Sequence, residues 1–158
     1  MGIVLSLKDA TLKRKTYKGN GQRVVFTNGV FDIIHRGHVE YLAKARELGD
    51  ALFVGINSDE SVRRIKGDKR PVVTLEDRAF VLSNLLPVDV VCSFDEDTPH
   101  NLIAAIVPDV LVKGADWKVD DIVGKDIVLA AGGKVETIEY IPNRSTSGII
   151  ERILERFS

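Results

Sequence analysis

Short apolar runs alternate along most of the chain with segments in which apolar positions recur at helical spacing. Continuous runs of Val, Ile, Leu and Phe are typical of strands buried on both faces, whereas recurrence every three or four residues is typical of amphipathic helices. The pattern predicts five strands, in the stretches RVVFT, ALFVGIN, VDVVCSF, DVLVK and KVETIEYI. It predicts helices in the stretches GHVEYLAKARELG, TLEDRAFVLSNLL, TPHNLIAAIV, KDIVLAAGG and STSGIIERILERF.

This alternation predicts an α/β fold, a Rossmann-like three-layer sandwich with a mostly parallel sheet of about five strands and helices on both faces. The basic segment LKRKTYKGNGQR is expected to lead into the core rather than to form part of it. Residues 1–22 are therefore interpreted as an N-terminal extension, and residues 23–158 as one domain. In such sheets, ligands bind beyond the carboxyl ends of the strands, so the segments that follow the strands are where a site is expected.

The composition of the chain argues against some classes of binding partner. The chain of 158 residues has 22 basic and 23 acidic side chains, so no global positive field exists to hold nucleic acid or an anionic membrane. An anion site must be local. Cys92 is the single cysteine, which excludes an intramolecular disulfide and a multi-thiolate metal site within the chain. No apolar run of ~18 residues and no signal peptide is recognisable, and a cytoplasmic protein is expected.

The joint between the first strand and the first helix, NGVFDIIHRGH, carries two of the three histidines. His35 and His38 are three apart at the start of the helix, whose free N–H groups favour an anion, and Gly37 leaves room for a ligand to approach the backbone. A dinucleotide fingerprint G-x-G-x-x-G and a Walker sequence are both absent, which argues against NAD, FAD and P-loop chemistry. A surface or capping role for the histidines stays open, as does zinc, for which Asp32 is the nearest third ligand.

The loop after the second strand, NSDESVRRIKGDKRP, is rich in basic side chains. It is interpreted either as a solvated surface or as a mobile flap that closes over phosphates, with Lys66 the preferred contact.

Two further segments follow the last predicted strands. In KGADW, Asp116 could accept from ribose hydroxyls or a base near the Lys113–Gly114 backbone; the alternative is a turn anchored by Trp117. In NRSTSG, three hydroxyls and Arg144 at a helix amino end favour a second anion site, although capping alone explains one hydroxyl. Two helix amino ends, a basic loop and paired histidines at one sheet edge predict a site for a nucleoside triphosphate.

These residues resemble a known family. His35-Arg36-Gly37-His38 after NGVFD is similar to the HxGH signature of the nucleotidyltransferase superfamily that includes cytidylyltransferases and pantetheine-phosphate adenylyltransferase. The resemblance continues through LVKGADW and RSTSGII and covers about residues 22–157. Within the superfamily, the same stretches look most like the adenylyltransferases of ADP-heptose synthesis in their stand-alone form. Trp117 stands where many of these relatives carry tyrosine. The segment NLLPVD and the position of Arg144 depart from the cytidylyltransferase pattern.

The resemblance implies transfer of AMP from ATP to D-glycero-β-D-manno-heptose 1-phosphate, giving ADP-heptose and pyrophosphate for lipopolysaccharide or other surface glycans. It implies Mg²⁺ as the cofactor that accompanies ATP, with no metal ligated by protein side chains. A CTP-dependent cytidylyltransferase that acts on a polyol phosphate such as glycerol 3-phosphate is one alternative. A nucleotide-binding regulatory module without turnover is another. A homo-oligomer such as a dimer is left open, and neither nucleic acid nor a membrane is expected as a partner.

The resemblance also implies residue roles. His35 and His38 would act at the α- and β-phosphates and Lys66 at the transferring or leaving phosphates. Ser145 and Thr146 would bind the β- and γ-phosphates, with Asp116 near the ribose or base. The remaining nucleotide-binding residues expected are Thr27, Asn28, Gly29, Phe31, Gly37, Lys113, Gly114 and Arg144.

Overall fold

The computed structural model describes residues 1–139, 141–142 and 144–158. Its strands are β1 (Ile3–Val4), β2 (Val24–Gly29), β3 (Ala51–Asn57), β4 (Val90–Phe94), β5 (Val110–Gly114) and β6 (Lys134–Ile138). Its α-helices are α1 (Leu7–Gly19), α2 (Arg36–Arg46), α3 (Asp59–Lys66), α4 (Leu75–Ser83), α5 (His100–Ile106), α6 (Lys125–Ala130) and α7 (Thr146–Phe157). A short 3₁₀ helix covers Val119–Asp121.

The strands form one parallel sheet in the spatial order β1-β4-β3-β2-β5-β6. Alternate side chains of each strand face opposite layers of helices, as the pleat requires. Val24 and Phe26 pack in a cluster that includes residues of α1, α5 and α6. Val25, between them, packs in a second cluster with residues of α2 and α4. The predicted three-layer α/β architecture is confirmed.

The strand order changes direction at β2. Strands β3 and β4 lie on one side of it, and β5 and β6 lie on the other. This is the kind of switch point at which open parallel sheets form a binding crevice, because the loops that leave neighbouring strands diverge there. The joint between β2 and α2 therefore begins at the centre of that crevice.

The amino-terminal segment was expected to stay outside the core, and this expectation is wrong. Ile3 pairs with Val90 and makes β1 a sixth strand at the edge of the sheet, where five were predicted. Helix α1 buries Ala10 completely, and Arg14, only 5% exposed, donates to the carbonyl of Val107 and to Asp109. A two-residue strand and a helix with so few apolar side chains leave almost no periodic signal. The boundary at residue 23 as such stays a prediction.

The basic segment after β3 was expected to be a loop throughout, but its first half is helix α3. The hydroxyl of Ser58 accepts from the N–H of Ser61 at 3.1 Å and caps the helix, acidic residues occupy the first turn and basic residues the last. Gly67, with φ of 92°, ends it. The sequence carried these signals, but the charge run concealed them.

Other boundaries shift by a few residues. Strand β2 extends through Asn28 and Gly29, which were placed in the joint after the strand but pair with β3. The last predicted strand ends earlier, at Ile138, and its Tyr140 lies outside the described residues, as does Asn143 of the loop before α7. Across the described part of the chain, no helix is both long and apolar enough to cross a membrane.

Candidate active site

A cleft of about 730 Å³ opens at the carboxyl ends of the strands. Its walls come from the segments after β2, β4 and β5, from the stretch between α3 and α4, and from the amino end of α7. The predicted site residues that line it are Asn28, Gly29, Phe31, His35, Gly37, His38, Lys66, Lys113, Asp116, Arg144, Ser145 and Thr146. The segments thus converge as the sequence indicated, whereas the ligands of these residues stay predictions.

The two histidines form one stacked unit at the start of α2. Their ring centroids are 3.8 Å apart and the ring planes are inclined by 23°. Phe31 packs edge-on against His38 at 5.2 Å, and holds a left-handed backbone with φ of 49°, which is strained for a bulky residue. His35 occupies the N-cap position, yet its side chain makes no capping hydrogen bond. The capping interpretation therefore fails for His35.

Both imidazoles lack a partner on the buried side. The Nδ1 atoms of His35 and His38 are buried and form no hydrogen bond with any described residue. Burial, and then the neighbouring charge of His35, lowers the pKa of His38 to about 4. Burial and then the Arg144 guanidinium also lower the pKa of His35. The pair is therefore neutral at pH 7 in the free protein and can gain favourable interactions from an anion that enters the cleft.

Gly37 allows the amino ends of two helices to approach each other. A Cβ atom at this position would lie 3.0 Å from the ring of His35 and 3.1 Å from the Cβ of Arg144. The glycine was expected to leave room for a ligand at the backbone. The structure adds a second reason for it, because a larger residue would separate Arg144 from the histidine pair.

The amino end of α7 is tied to the same joint. The hydroxyl of Ser145 accepts from the N–H of Gly148 at 3.0 Å and caps the helix, so capping does account for one hydroxyl of this cluster. The hydroxyl of Thr146 donates to the carbonyl of Ile33 at 3.4 Å. Free N–H groups of α2 and α7 and the Arg144 side chain thus surround one region of the cleft, as an anion site requires.

Lys66 is the last residue of α3, not part of a loop, and it lines the cleft. Its neighbours Arg63 and Arg64 pair with Glu60 and Asp97 on the surface, so the solvated interpretation holds for those two. Lys66 itself forms no ion pair or hydrogen bond with the residues the structure describes. Its charge remains available to a ligand.

On the opposite side of the crevice, Lys113 at the end of β5 lies near the indole of Trp117. The ammonium is 5.4 Å from the centroid of the ring, a cation–π distance. Burial lowers the pKa of Lys113 to about 8, and the carboxylate of Asp116 opposes this shift. Trp117 and Lys113 both line the cleft, and the N–H of Trp117 donates to the carbonyl of Gly114 at 3.1 Å, so the turn and a role in the site both stay predictions.

Two predicted residues do not line the cleft. Thr27 is fully buried and its hydroxyl is 2.8 Å from the hydroxyl of Tyr41, which does line it. Gly114 is buried as the last residue of β5 and pairs with Ile138. Thr27 is therefore connected to the cleft through Tyr41, whereas Gly114 contributes main chain to the sheet.

Sequence reasoning missed the role of Asp32 and Arg70. Asp32 is 2% exposed and accepts hydrogen bonds from the N–H groups of Val72 and Val73 at 2.9 and 2.8 Å. The Nε of Arg70 donates to the same carboxylate at 2.5 Å. Burial by itself would raise the pKa of Asp32, but these hydrogen bonds outweigh it and the pKa is lowered. The aspartate considered as a zinc ligand is instead occupied in holding a backbone segment.

Arg78 holds the same region from the other side, and it was also missed. It is fully buried and donates to the carbonyls of Val30 and Val73 at 2.8 and 3.0 Å and to Asp59 at 2.7 Å. One guanidinium therefore connects the joint after β2, the segment before α4 and the start of α3. The lone Arg in TLEDR gave no sign of this, because two of its three partners, Val30 and Asp59, are 48 and 19 positions away in the sequence.

Comparison with known proteins agrees with this geometry. The model of the family described as cytidylyltransferase-like matches residues 26–152. The chain belongs to that family. The bifunctional protein HldE of Geobacter sulfurreducens is 53% identical over 140 residues, which are 89% of this chain and 29% of that protein. Its counterpart in Campylobacter concisus is 60% identical over 132 residues, 84% of this chain and 27% of that protein. The chain thus spans less than a third of the length of these curated relatives.

Solved structures agree as well. The lipopolysaccharide core biosynthesis protein from Thermoplasma volcanium is 30% identical with a TM-score of 0.63, and the match covers 77% of this chain and 98% of that one. Pantoate-beta-alanine ligase from Francisella tularensis, at 16% identity and a TM-score of 0.64, shares the fold; that match covers 98% of this chain and 80% of that one. The predicted membership of the nucleotidyltransferase superfamily is confirmed.

Proposed function

We propose that the chain is an adenylyltransferase that transfers AMP from ATP to D-glycero-β-D-manno-heptose 1-phosphate, with release of pyrophosphate and formation of ADP-heptose. The observation that carries the proposal is the stacked, neutral histidine pair that meets two helix amino ends and Arg144 in one cleft. The similarity to bifunctional HldE proteins and to a lipopolysaccharide core biosynthesis protein supports the heptose acceptor.

The reaction requires the two substrates to be aligned and their negative charges to be neutralised, but it requires no general base. A sugar 1-phosphate has a second pKa of ~6 and is mostly dianionic at neutral pH, so it attacks without losing a proton. Its oxygen forms a bond to the α-phosphorus of ATP while the bond to the β-phosphate oxygen breaks, and pyrophosphate leaves with that electron pair. The obstacle is the repulsion between two anions, which donors and cations placed around the α-phosphate reduce.

Different residues of the cleft neutralise or bind different phosphates. The imidazoles of His35 and His38 donate from the ring nitrogen opposite the buried Nδ1 to the α- and β-phosphates, where charge increases during transfer. The amino end of α7, with Ser145 and Thr146, receives the β- and γ-phosphates. Lys66 neutralises the transferring or leaving phosphates. Asn28, Gly29 and Phe31 line the nucleotide.

Mg²⁺ is proposed to enter with ATP. Asp32 uses its oxygens for Val72, Val73 and Arg70, and Asp97 is paired with Arg64. No cluster of three or more His, Cys, Asp or Glu side chains fit for a metal ion occurs among the described residues. This donor set fits a cation held mainly by phosphate oxygens and water, as Mg²⁺ prefers, and the ion would supply further neutralisation of phosphate charge.

A matrix of substrates tests the proposal. Pyrophosphate release is measured with ATP or CTP as donor, and with heptose 1-phosphate or glycerol 3-phosphate as acceptor. Release is expected with ATP and heptose 1-phosphate. Preference for CTP and glycerol 3-phosphate would instead identify a cytidylyltransferase, and nucleotide binding without release in all four mixtures would identify a regulatory module. The homo-oligomer that the sequence left open stays untested, and the cytoplasmic location expected from the sequence stays a prediction.

A further inference from the structure

The guanidinium of Arg70 is hydrogen-bonded through its Nε, and its terminal nitrogens are available to a ligand in the cleft. Its Nε donates to Asp32, the side chain is 17% exposed, and it lines the cleft. Its two terminal nitrogens form no hydrogen bond or ion pair with any residue in the described part of the chain. A planar fork fixed along one edge, with the other edge free in a cleft, matches the geometry that binds two oxygens of one phosphate.

The support behind Arg70 is rigid. Asp32 fixes the next residues of the segment through the N–H groups of Val72 and Val73. The fully buried Arg78 fixes the carbonyl of Val73 from the opposite side at 3.0 Å. Little conformational entropy is therefore lost when Arg70 binds an anion, because its backbone and its Nε edge are already in place. This distinguishes Arg70 from Arg63, which pairs with Glu60 on the surface.

The topology separates Arg70 from the loop that carries Lys113 and Asp116. Arg70 belongs to the segment that follows β3, and those two residues follow β5, on the other side of β2. The histidine pair follows β2 and lies between them. Under the proposed function, the base and ribose occupy the β5 side and the α-phosphate meets the histidines. On the β3 side, Lys66 is already assigned to the transferring or leaving phosphates of ATP, so the anion left for Arg70 is the phosphate of the second substrate.

We propose that Arg70, oriented by Asp32, binds the phosphate of the acceptor, a phosphomonoester dianion, and so selects and aligns the nucleophile. The inference rests on the proposed function and extends it to the acceptor half of the same site. Asp32 acts as a positioning residue that touches no substrate. Its lowered pKa keeps it ionised at neutral pH, which is what an aspartate that orients an arginine requires.

Steady-state kinetics with both substrates test the inference. Arg70→Gln is expected to raise the KM for the sugar 1-phosphate about tenfold to a hundredfold, the loss typical of hydrogen bonds to a charged group, while the KM for ATP stays within about twofold. Arg63→Gln is the matched control and should leave both KM values unchanged. An unchanged acceptor KM in Arg70→Gln, or a rise confined to ATP, overturns the inference.

A second variant covers the case in which Arg70→Gln folds poorly, and a binding measurement covers the case in which the wild type shows no turnover. If Arg70→Gln melts well below the wild type, Arg70→Lys is used. Lysine keeps the charge but has no planar guanidinium group that contacts Asp32 and a phosphate at the same time, so the KM for the sugar 1-phosphate should still rise. If the wild type shows no turnover with heptose 1-phosphate, the proposed function fails and Arg70 is tested by calorimetry with inorganic phosphate alone. Binding at least about tenfold weaker in Arg70→Gln supports the anion site, and equal binding of both proteins contradicts it.

Discussion

At the scale of single residues, the site depends on side chains whose usual partners are missing. The buried nitrogens of His35 and His38 have none among the described residues, and Lys66 keeps an unpaired charge. Buried polar groups normally find a hydrogen bond, so such exceptions need an explanation. Under the proposed function, a triphosphate in the cleft binds Lys66 and the ring nitrogens opposite the two buried Nδ1 atoms, so these side chains are left without protein partners in order to bind a ligand.

The first prediction concerns His38. In His38→Ala, turnover should fall by about 10²–10³, because a donor to the increasing phosphate charge is lost, while the circular dichroism spectrum stays that of the wild type. His100, the third histidine, is exposed and lies outside the cleft lining, so His100→Ala is the control and should retain full turnover. Near-normal turnover in His38→Ala would exclude the assigned role.

The second prediction concerns pH and stability. The pKa of His38 is about 4 when folded and about 6.5 when unfolded. The unfolded chain therefore binds the proton more tightly, and the folded state loses stability as the pH falls from about 6.5 towards 4. Between pH 7 and pH 5 the loss due to this group is about 2 kcal/mol. Urea unfolding should show a larger loss in the wild type than in His38→Gln; parallel losses would contradict the low pKa.

At the scale of helices and strands, the close approach of α2 and α7 brings the groups proposed to bind the phosphates together. In Gly37→Ala, the new methyl would contact His35 and Arg144 at 3.0 and 3.1 Å and push the two helices apart. Turnover should therefore fall at least about tenfold, because small displacements in a catalytic site are costly. Gly19→Ala is the matched control, with no atom within 4 Å of the added carbon. It should leave turnover unchanged in the pyrophosphate assay. Equal turnover of the two variants would show that the helix approach is not required.

The same scale shows what the sequence could predict. Strands β2 to β5 were predictable because each contains a run of Val, Ile, Leu or Phe that is buried on both faces. The loops that follow them were predictable in turn, because parallel strands end at one edge. The contact of Asp32 with Arg70 was not, since the two residues are 38 positions apart and their approach depends on the path of the chain between them.

At the scale of the whole molecule, the amino-terminal segment completes the sheet edge. Main-chain N–H groups of Ile3 and Leu5 donate to the carbonyls of Asp89 and Val91 at 3.0 and 2.9 Å, and Ala10 of α1 is fully buried. A chain that begins at residue 23 should therefore melt at a lower temperature than the full chain and aggregate through the exposed edge of β4. An unchanged melting temperature in differential scanning calorimetry would restore the interpretation of residues 1–22 as an extension.

The fate of the α-phosphorus of ATP shows whether this chain transfers the adenylyl group to a sugar 1-phosphate. ATP that carries a label on its α-phosphorus is incubated with heptose 1-phosphate, Mg²⁺ and the wild-type chain or His38→Ala. Under the proposed function, the label appears in ADP-heptose with an equal amount of pyrophosphate, and His38→Ala forms at least about a hundredfold less of both products. Label that remains in ATP or ADP, with no labelled sugar nucleotide, would exclude adenylyl transfer to heptose 1-phosphate by this chain.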